Sequence, residues 1–79
     1  TALEVLQTTA STTKDTGSFI TEGGIGVEGA VNVGSYYGMV DGVTAPAATS
    51  GYAKIYVDTA DGDLKVIFGD GTIKTIVTD

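Results

Sequence analysis

The sequence lacks the residues that enzymes most often use as bases and nucleophiles. It contains no cysteine and no histidine, so it offers neither a thiolate nor an imidazole for catalysis. Without cysteine there is also no disulfide and no thiolate–metal site to stabilise so short a chain. We therefore predict that the protein is not an enzyme and that it uses neither a cofactor nor a metal ion.

Positively charged residues are scarce. Arginine is absent, four lysines are the only cations, and ten acidic residues bring the formal net charge to −6. Nucleic acids and anionic membrane surfaces are recognised by clustered cations. Long apolar runs are missing as well, and none approaches the ~20 residues that span a bilayer. We expect neither nucleic-acid binding nor membrane insertion.

The short length of the chain and its many glycines make a stable monomer difficult to build. Seventy-nine residues allow one small domain, and such a monomer buries only about 60% of the surface that its unfolded chain exposes. Twelve glycines bring no side chains to a core and lose the most entropy on folding. Association with other copies is the ordinary remedy. The chain opens on Thr1 rather than Met, so we also expect that it was processed or excised from a longer protein.

A glycine-rich stretch, residues 17–34, has the period of an extended chain. Six glycines in this stretch would each cost ~1 kcal/mol in a helix, so two short strands with tight glycine corners are predicted. A strand pair of this size is marginal alone, and we expect another copy of the chain to cover it. The apolar residues that recur at the two-residue spacing of a half-buried strand are Ile25, Val27, Val31 and Val33.

The segments around this stretch are less regular. Residues 1–9 fit either a strand or a single helical turn, and the threonine- and serine-rich run that follows favours the strand. A turn is predicted at 14–17 and a short strand at 18–22. Residues 35–51 lose all periodicity and contain the only proline, Pro46, which is typical of a loop and linker. The chain is thereby divided into residues 1–34, 35–51 and 52–79.

Residues 52–79 carry the clearest strand pattern. Asp61-Gly62 and Asp70-Gly71 lie between alternating apolar runs, which is the strongest short-range hairpin signal. Treating each dipeptide as a two-residue turn pairs Val57 with Val66 and Leu64 with Val77, in a three-stranded antiparallel meander. The predicted core face comprises Ile55, Val57, Leu64, Val66, Phe68, Ile73, Thr75 and Val77. The predicted mixed face comprises Lys54, Tyr56, Asp58, Lys65, Ile67, Lys74, Ile76 and Thr78.

Two parts of the sequence resemble structural proteins of tailed bacteriophages. The run TTKDTGSFITEGGIGV, residues 12–27, with the ending VNVG at 31–34, is similar to repeats in virion proteins of cyanobacterial and other marine phages. Residues 53–76 are similar to the C-terminal ends of virion fibre proteins. This chain departs from the longer fibres because it has one glycine-rich unit rather than a tandem array.

The resemblance implies a homotrimer on the surface of a phage particle, with its chains wound about a threefold axis. The implied fold class is all-β, with an intertwined, β-prism-like N-terminal part followed by the meander. The implied function is that of a non-enzymatic virion structural protein, a fibre, spike or head-decoration element in contact with capsid or tail proteins. The oligomer interface that we expect comprises Ile25, Val27, Val31, Val33, Leu64, Val66, Phe68 and Val77.

A receptor-binding tip of a tail fibre is the alternative function. Tyr36, Tyr37 and Tyr52 would then stack on a glycan of the host surface. Aromatic rings in loops also serve in packing between chains, and we favour packing for these three tyrosines.

Three short patterns suggest a ligand-binding or catalytic site, but a structural role explains each of them better. The run DTADGD at 58–63 lacks the ligand spacing of an EF-hand, and turn formation explains its Asp61-Gly62. The glycines at 23–26 lack the following helix and the Lys-Ser/Thr of a phosphate-binding loop. A glycosidase pair drawn from Glu4, Glu22 and Glu28 would lie on predicted solvent faces.

Overall fold

The computed structural model describes residues 2–79. The chain divides into two compact units, Thr1–Gly38 and Met39–Asp79, and the boundary falls within the predicted loop and linker. Helices are absent from the described residues, and the regular structure is one three-stranded antiparallel sheet. The all-β class is therefore confirmed.

The sheet lies in the second unit and is the predicted meander. Its strands are β1 (Lys54–Val57), β2 (Leu64–Ile67) and β3 (Ile73–Val77), in the order β1-β2-β3. Each strand is rich in β-branched and aromatic residues, which fit a pleated, half-buried surface. Each hairpin turns at a glycine with positive φ, Gly62 at 73° and Gly71 at 92°. Glycine adopts this conformation without steric cost.

The first hairpin has a wider loop than predicted. Val57 lies opposite Leu64, so the predicted pairing of Val57 with Val66 is wrong by two residues. Four residues, 59–62, form the loop, because the N–H of Asp58 donates to the carbonyl of Asp63 at 3.0 Å. The carboxylate of Asp58 also accepts the N–H of Ala60, an Asx-type bond that favours the wider turn. Because the shift is an even number of residues, each side chain stays on its predicted face.

The second hairpin differs from its predicted register by one residue. Its loop has three residues, 69–71, since Phe68 N–H donates to Thr72 O at 2.8 Å, and Gly71 makes it a three-residue loop with a glycine bulge. Ile73 therefore lies opposite Ile67, and Thr75 opposite Lys65. An odd shift moves side chains to the other face, so the placement of Ile73 and Thr75 on the core face is wrong.

A bulge near the far end of the same hairpin restores the predicted register. The register shifts between Leu64 and Lys65, and Leu64 lies opposite Val77. This pair is confirmed. Lys74, by contrast, lies opposite Val66 and so belongs to the face predicted to be the core.

The two faces of the sheet are covered unequally within one chain, and the predicted mixed face holds its buried residues. Tyr56 and Ile67, on the predicted mixed face, are the only buried hydrophobic side chains among the described residues, at 4% and 6% exposure. On the predicted core face, Ile55 is 58% and Val77 57% exposed. Val57, Leu64 and Val66 on the same face are half-buried, so this face does not form a closed core within a single chain. The open face, as we name this exposed side, comprises Ile55, Val57, Leu64, Val66, Lys74 and Val77.

The segment that precedes β1 covers the Tyr56 side of the sheet. Lys54 shares that face, and its Nζ donates to the carbonyl of Ala47 at 2.6 Å and to Oγ1 of Thr49 at 2.8 Å. Beyond β2, Gly69 lies against the backbone of residues 49–51. Val43 forms a parallel bridge with Asp58. The second unit places this covering segment on the Tyr56 side. On the other face Ile55 and Val77 are exposed, whereas Val57, Leu64 and Val66 are half-buried.

The predicted N-terminal strands do not form within one chain. Apart from the bridge at Val43, the described residues before Lys54 contain no strand, although we predicted strands at 1–9, 18–22 and 25–33 (Thr1 lies outside the described residues). An extended segment needs a neighbouring strand for its backbone hydrogen bonds. The first unit supplies none for its own residues.

Side-chain hydrogen bonds order the beginning of the first unit instead. The predicted turn at 14–17 is present, with Thr16 Oγ1 accepting the N–H groups of Thr12 and Thr13 at 2.9 and 3.0 Å. Ser18 Oγ donates to the carbonyl of Gln7 at 2.6 Å and accepts the N–H of Thr9 at 3.0 Å. Hydroxyl groups thus satisfy backbone groups here that a strand partner would otherwise satisfy.

Candidate functional site

The residues expected at an oligomer interface are largely exposed in the single chain. In the first unit, Ile25 and Val31 are 66% and 63% exposed, and Val27 and Val33 about half. In the second unit, Leu64 and Val66 are half-buried and Phe68 is 43% exposed. The sheet brings Leu64, Val66 and Val77 together on the open face. Phe68 lies just beyond β2, at the start of the second loop.

Two further apolar residues are exposed close to this set and were not predicted as interface residues. Ile55 lies directly opposite Val66 on the open face. Ile76 lies at the bulge beside Val77 and is 52% exposed. The alternating pattern of β1 already indicated that Ile55 shares the face of Val66. No periodic signal could have shown the placement of Ile76, because a bulge interrupts the period of two.

The whole chain exposes a large surface for its mass. Its accessible surface is 6569 Å², whereas a folded monomer of 8.0 kDa typically exposes about 4,500 Å². The difference is about 2,100 Å² per chain. Twenty large hydrophobic side chains are exposed among the described residues, so much of this surface is apolar. Contiguous apolar surface on a soluble protein usually marks an interaction site.

The conformation of the single chain requires glycine at some positions and not at others. Five have positive φ, and a Cβ on Gly69 would lie 2.9 Å from the backbone nitrogen of Gly51. In the glycine-rich stretch the space is open: a Cβ at five positions would meet no atom within 4 Å, and their φ values are not positive. These five are Gly23, Gly24, Gly26, Gly29 and Gly34. Nothing within the single chain explains glycine there.

A charged cluster connects β2 with the first hairpin loop. Lys65 Nζ lies 2.8 Å from Asp58 Oδ2 and 2.8 Å from Asp61 Oδ2. The Ala60 N–H and Lys65 hold the pKa of Asp58 below its usual range. Lys65 and the Asp63 N–H do the same for Asp61. The two carboxylates raise the pKa of Lys65. All three groups are charged at neutral pH, so the cluster stabilises the loop rather than supplying an acid or a base.

We did not predict this charged cluster from the sequence, although the predicted meander already placed two of its members close together. Asp58 and Lys65 were predicted to share the mixed face as a directly opposed pair. In the structure Lys65 lies opposite Tyr56, and its long side chain reaches the loop.

The three tyrosines considered for glycan binding are all exposed. Tyr36 and Tyr37 are each 76% exposed in the first unit, and Tyr52 is 67% exposed in the second. The rings are accessible, but the structure forms no built site around them.

Neither a cluster of metal ligands nor a membrane-spanning helix is found in the part of the chain that the structure describes. Among residues 2–79, no three carboxylate, imidazole or thiol side chains are grouped so that they could hold a metal ion. None of these residues forms a helix long and apolar enough to cross a membrane. The carboxylates of Asp58 and Asp61 are directed to Lys65 instead.

Comparisons with known proteins supply no relative. No protein-family model, curated protein or solved structure matches the chain. Functional conclusions therefore depend on the surfaces described above and on the sequence resemblance.

Proposed function

We propose that the chain is a non-enzymatic virion structural protein that associates with two other copies into a fibre, spike or head-decoration element of a tailed phage. The main support for self-association is the excess exposed surface of about 2,100 Å² per chain. Obligate homo-oligomers bury surfaces of this order, about 2,000 Å² and more per interface. The trimer and the phage particle come from the resemblance.

The glycine-rich stretch supports the same proposal. Glycine allows close approach of another backbone, and the five open glycines lie among Ile25, Val27, Val31 and Val33. These apolar residues have strand periodicity and no strand partner in their own chain. Neighbouring copies would supply both the missing strand partners and the backbone that approaches the glycines.

The first experiment is the mass of the chain in solution, measured by light scattering over a dilution series. We expect a mass of three times 8.0 kDa that persists on dilution, because an obligate oligomer has no stable folded monomer. A folded monomer at all concentrations would overturn the proposal.

A charge variant in the glycine-rich stretch tests the interface. Val31→Asp places a carboxylate where we expect apolar contact between chains, and the trimer should dissociate. The matched control is Asn32→Asp, which adds the same charge one residue away, on the other side of an extended chain. A Val31→Asp protein that stays trimeric and folded would count against this stretch as an interface.

The receptor-binding tip remains the second candidate, because Tyr36 and Tyr37 are so exposed. Aromatic rings that bind sugars need accessible faces, and these have them. The test replaces both residues with alanine and measures binding of the purified protein to host cells. Loss of binding with unchanged mass would favour the tip, whereas retained binding would assign the tyrosines a structural role.

A further inference from the structure

We propose that other copies of this chain pack on the open face of the sheet, so that this face, rather than the Tyr56 side, forms the core of the C-terminal part of the assembly. The proposal rests on the self-association proposed above and names the surface that it uses. The occupants are the other two copies of the trimer, and each copy contributes the same face to the shared core.

The composition of the open face is that of a buried surface. An antiparallel sheet can leave one face in water, but that face is then usually polar. Here five of the six side chains are aliphatic, namely those of Ile55, Val57, Leu64, Val66 and Val77. In a single chain, Ile55 and Val77 at the ends of this apolar face are 58% and 57% exposed to solvent.

The chain uses its own covering segment on the other side. Lys54 holds Ala47 and Thr49 on the Tyr56 side, and Gly69 contacts the backbone of residues 49–51 there. Moving this segment to the open face would break these contacts and expose Tyr56 and Ile67. The covering segment of the second unit is thus committed to the Tyr56 side, and we assign the cover of the open face to other copies of the chain.

The distribution of charge favours a second copy over a charged partner. Two copies of a chain with net charge −6 repel one another if their acidic groups meet. The open face carries no acidic residue among its six positions, and Lys74 is its one charge. Asp58 and Asp61 share Lys65, which points to the opposite face and offsets one of their two charges, and Asp70 lies in the second loop. Lys74 is on the outer strand β3, where a long side chain can extend to water.

The open face contributes to the surface that the chain leaves exposed. The whole chain exposes about 2,100 Å² more than a compact monomer of its mass, and Ile55 and Val77 are part of that exposed surface. Three copies can turn this face toward a shared axis, since aliphatic side chains impose no donor–acceptor pairing. This arrangement also requires no partner other than the chain itself.

The experiment compares paired variants on the two sides of β3 in the full chain. Val77→Glu adds a carboxylate to the open face, and Ile73→Glu adds the same group to the same strand on the opposite face, where Ile73 is 46% exposed. We expect Val77→Glu to raise the concentration at which the assembly dissociates by about tenfold or more, because it would bury a carboxylate in an apolar contact. Ile73→Glu should leave the dissociation concentration within about threefold of the wild type. Circular dichroism of both variants tests whether they keep their strands.

A second measurement applies even if Val77→Glu fails to fold. Because the chain has no cysteine, Val77→Cys and Ile73→Cys each introduce a unique thiol. We expect the thiol of Val77→Cys to react with a disulfide reagent about tenfold or more slowly than that of Ile73→Cys in the assembly, and equally fast in urea. Equal reactivity in the assembly would overturn the proposal.

The outcomes separate this proposal from the proposed function. A wild-type monomer overturns both. A wild-type oligomer in which Val77→Glu changes nothing and both thiols react alike overturns only the use of the open face. The glycine-rich stretch would then carry the association alone.

Discussion

Lys65 Nζ lies 2.8 Å from Asp58 Oδ2 and so connects the middle of the sheet to the start of the first hairpin loop. The two side chains are only 14% and 17% exposed, so water screens the pair less than it screens a surface ion pair. The same ammonium group binds Asp61 within the loop. One lysine thus holds both ends of a four-residue connection, and this connection sets the register of β1 and β2.

Removing this lysine should destabilise the sheet. In Lys65→Met the aliphatic stem is kept, but the carboxylates of Asp58 and Asp61 lose their shared partner. We expect a clear fall in the urea midpoint of unfolding. The control is Lys14→Met, because the Lys14–Asp15 pair is 72% and 75% exposed and such pairs contribute little. Equal effects of the two substitutions would show that the cluster does not stabilise the loop.

The same cluster predicts how stability depends on pH. The Ala60 N–H and Lys65 hold the pKa of Asp58 below its ordinary value of 3.8, and the Thr72 N–H lowers the pKa of Asp70. Their contributions are complete above pH 3.8 and are lost as the pH falls through the lowered values. The pKa of Lys65 is raised above 10.5, so its contribution is complete below pH 10.5 and is lost as the pH rises further.

Unfolding in urea across the pH range checks this dependence. We expect a nearly constant midpoint from about pH 5 to 9 and a decrease on either side. In Lys65→Met the alkaline decrease should become shallower, because that variant has no ammonium group at position 65 to titrate. A midpoint that rises on acidification below pH 3.8 would contradict the prediction.

Gly69 should not tolerate alanine. A Cβ at this position would lie 2.9 Å from Gly51 N and 3.0 Å from Thr49 O, and both are backbone atoms. The covering segment would have to move, so we expect Gly69→Ala to lower the free energy of unfolding by about 1–3 kcal/mol, as overpacking does. Gly38→Ala is the control, since its Cβ would be 3.9 Å from the nearest atom, in the Tyr36 ring. A Gly69→Ala protein as stable as the control would show that residues 49–51 do not contact Gly69.

The hydroxyl of Tyr56 should be dispensable within the chain. Tyr56 is 4% exposed, and its Oη has no hydrogen-bond partner among the described residues. A buried unsatisfied hydroxyl costs about 1–3 kcal/mol, so Tyr56→Phe should keep or raise the free energy of unfolding, by up to about 1 kcal/mol. Ile67→Val, a cavity-forming control on the same face, should lower it by about 0.5–1.5 kcal/mol. A marked loss in Tyr56→Phe would reveal a partner for the hydroxyl outside the single chain.

The sequence predicted the strands of the sheet but not the lengths of the two loops that join them. The strands, their order and the Leu64–Val77 pair were predicted from alternation and from two Asp-Gly dipeptides. The loops were predicted too short, because Asp58, Asp61 and Asp70 each accept a backbone N–H two residues on. These local bonds compete with the two-residue turn. In the first hairpin the register error was two residues, so each side chain stayed on its predicted face. In the second hairpin it was one residue, so Ile73 lies on the other face.

By itself, the sequence determined that residues 54–77 form an antiparallel meander, because an alternating β-branched pattern interrupted by turn residues has few other ways to fold. It did not determine which face would be covered, since both carry apolar side chains, Ile55 and Val66 on one and Tyr56 and Ile67 on the other. Only the tertiary structure decided this. The covering segment has no periodicity, and its place depends on the reach of Lys54 and on the absence of a side chain at Gly69, which are contacts between distant parts of the chain.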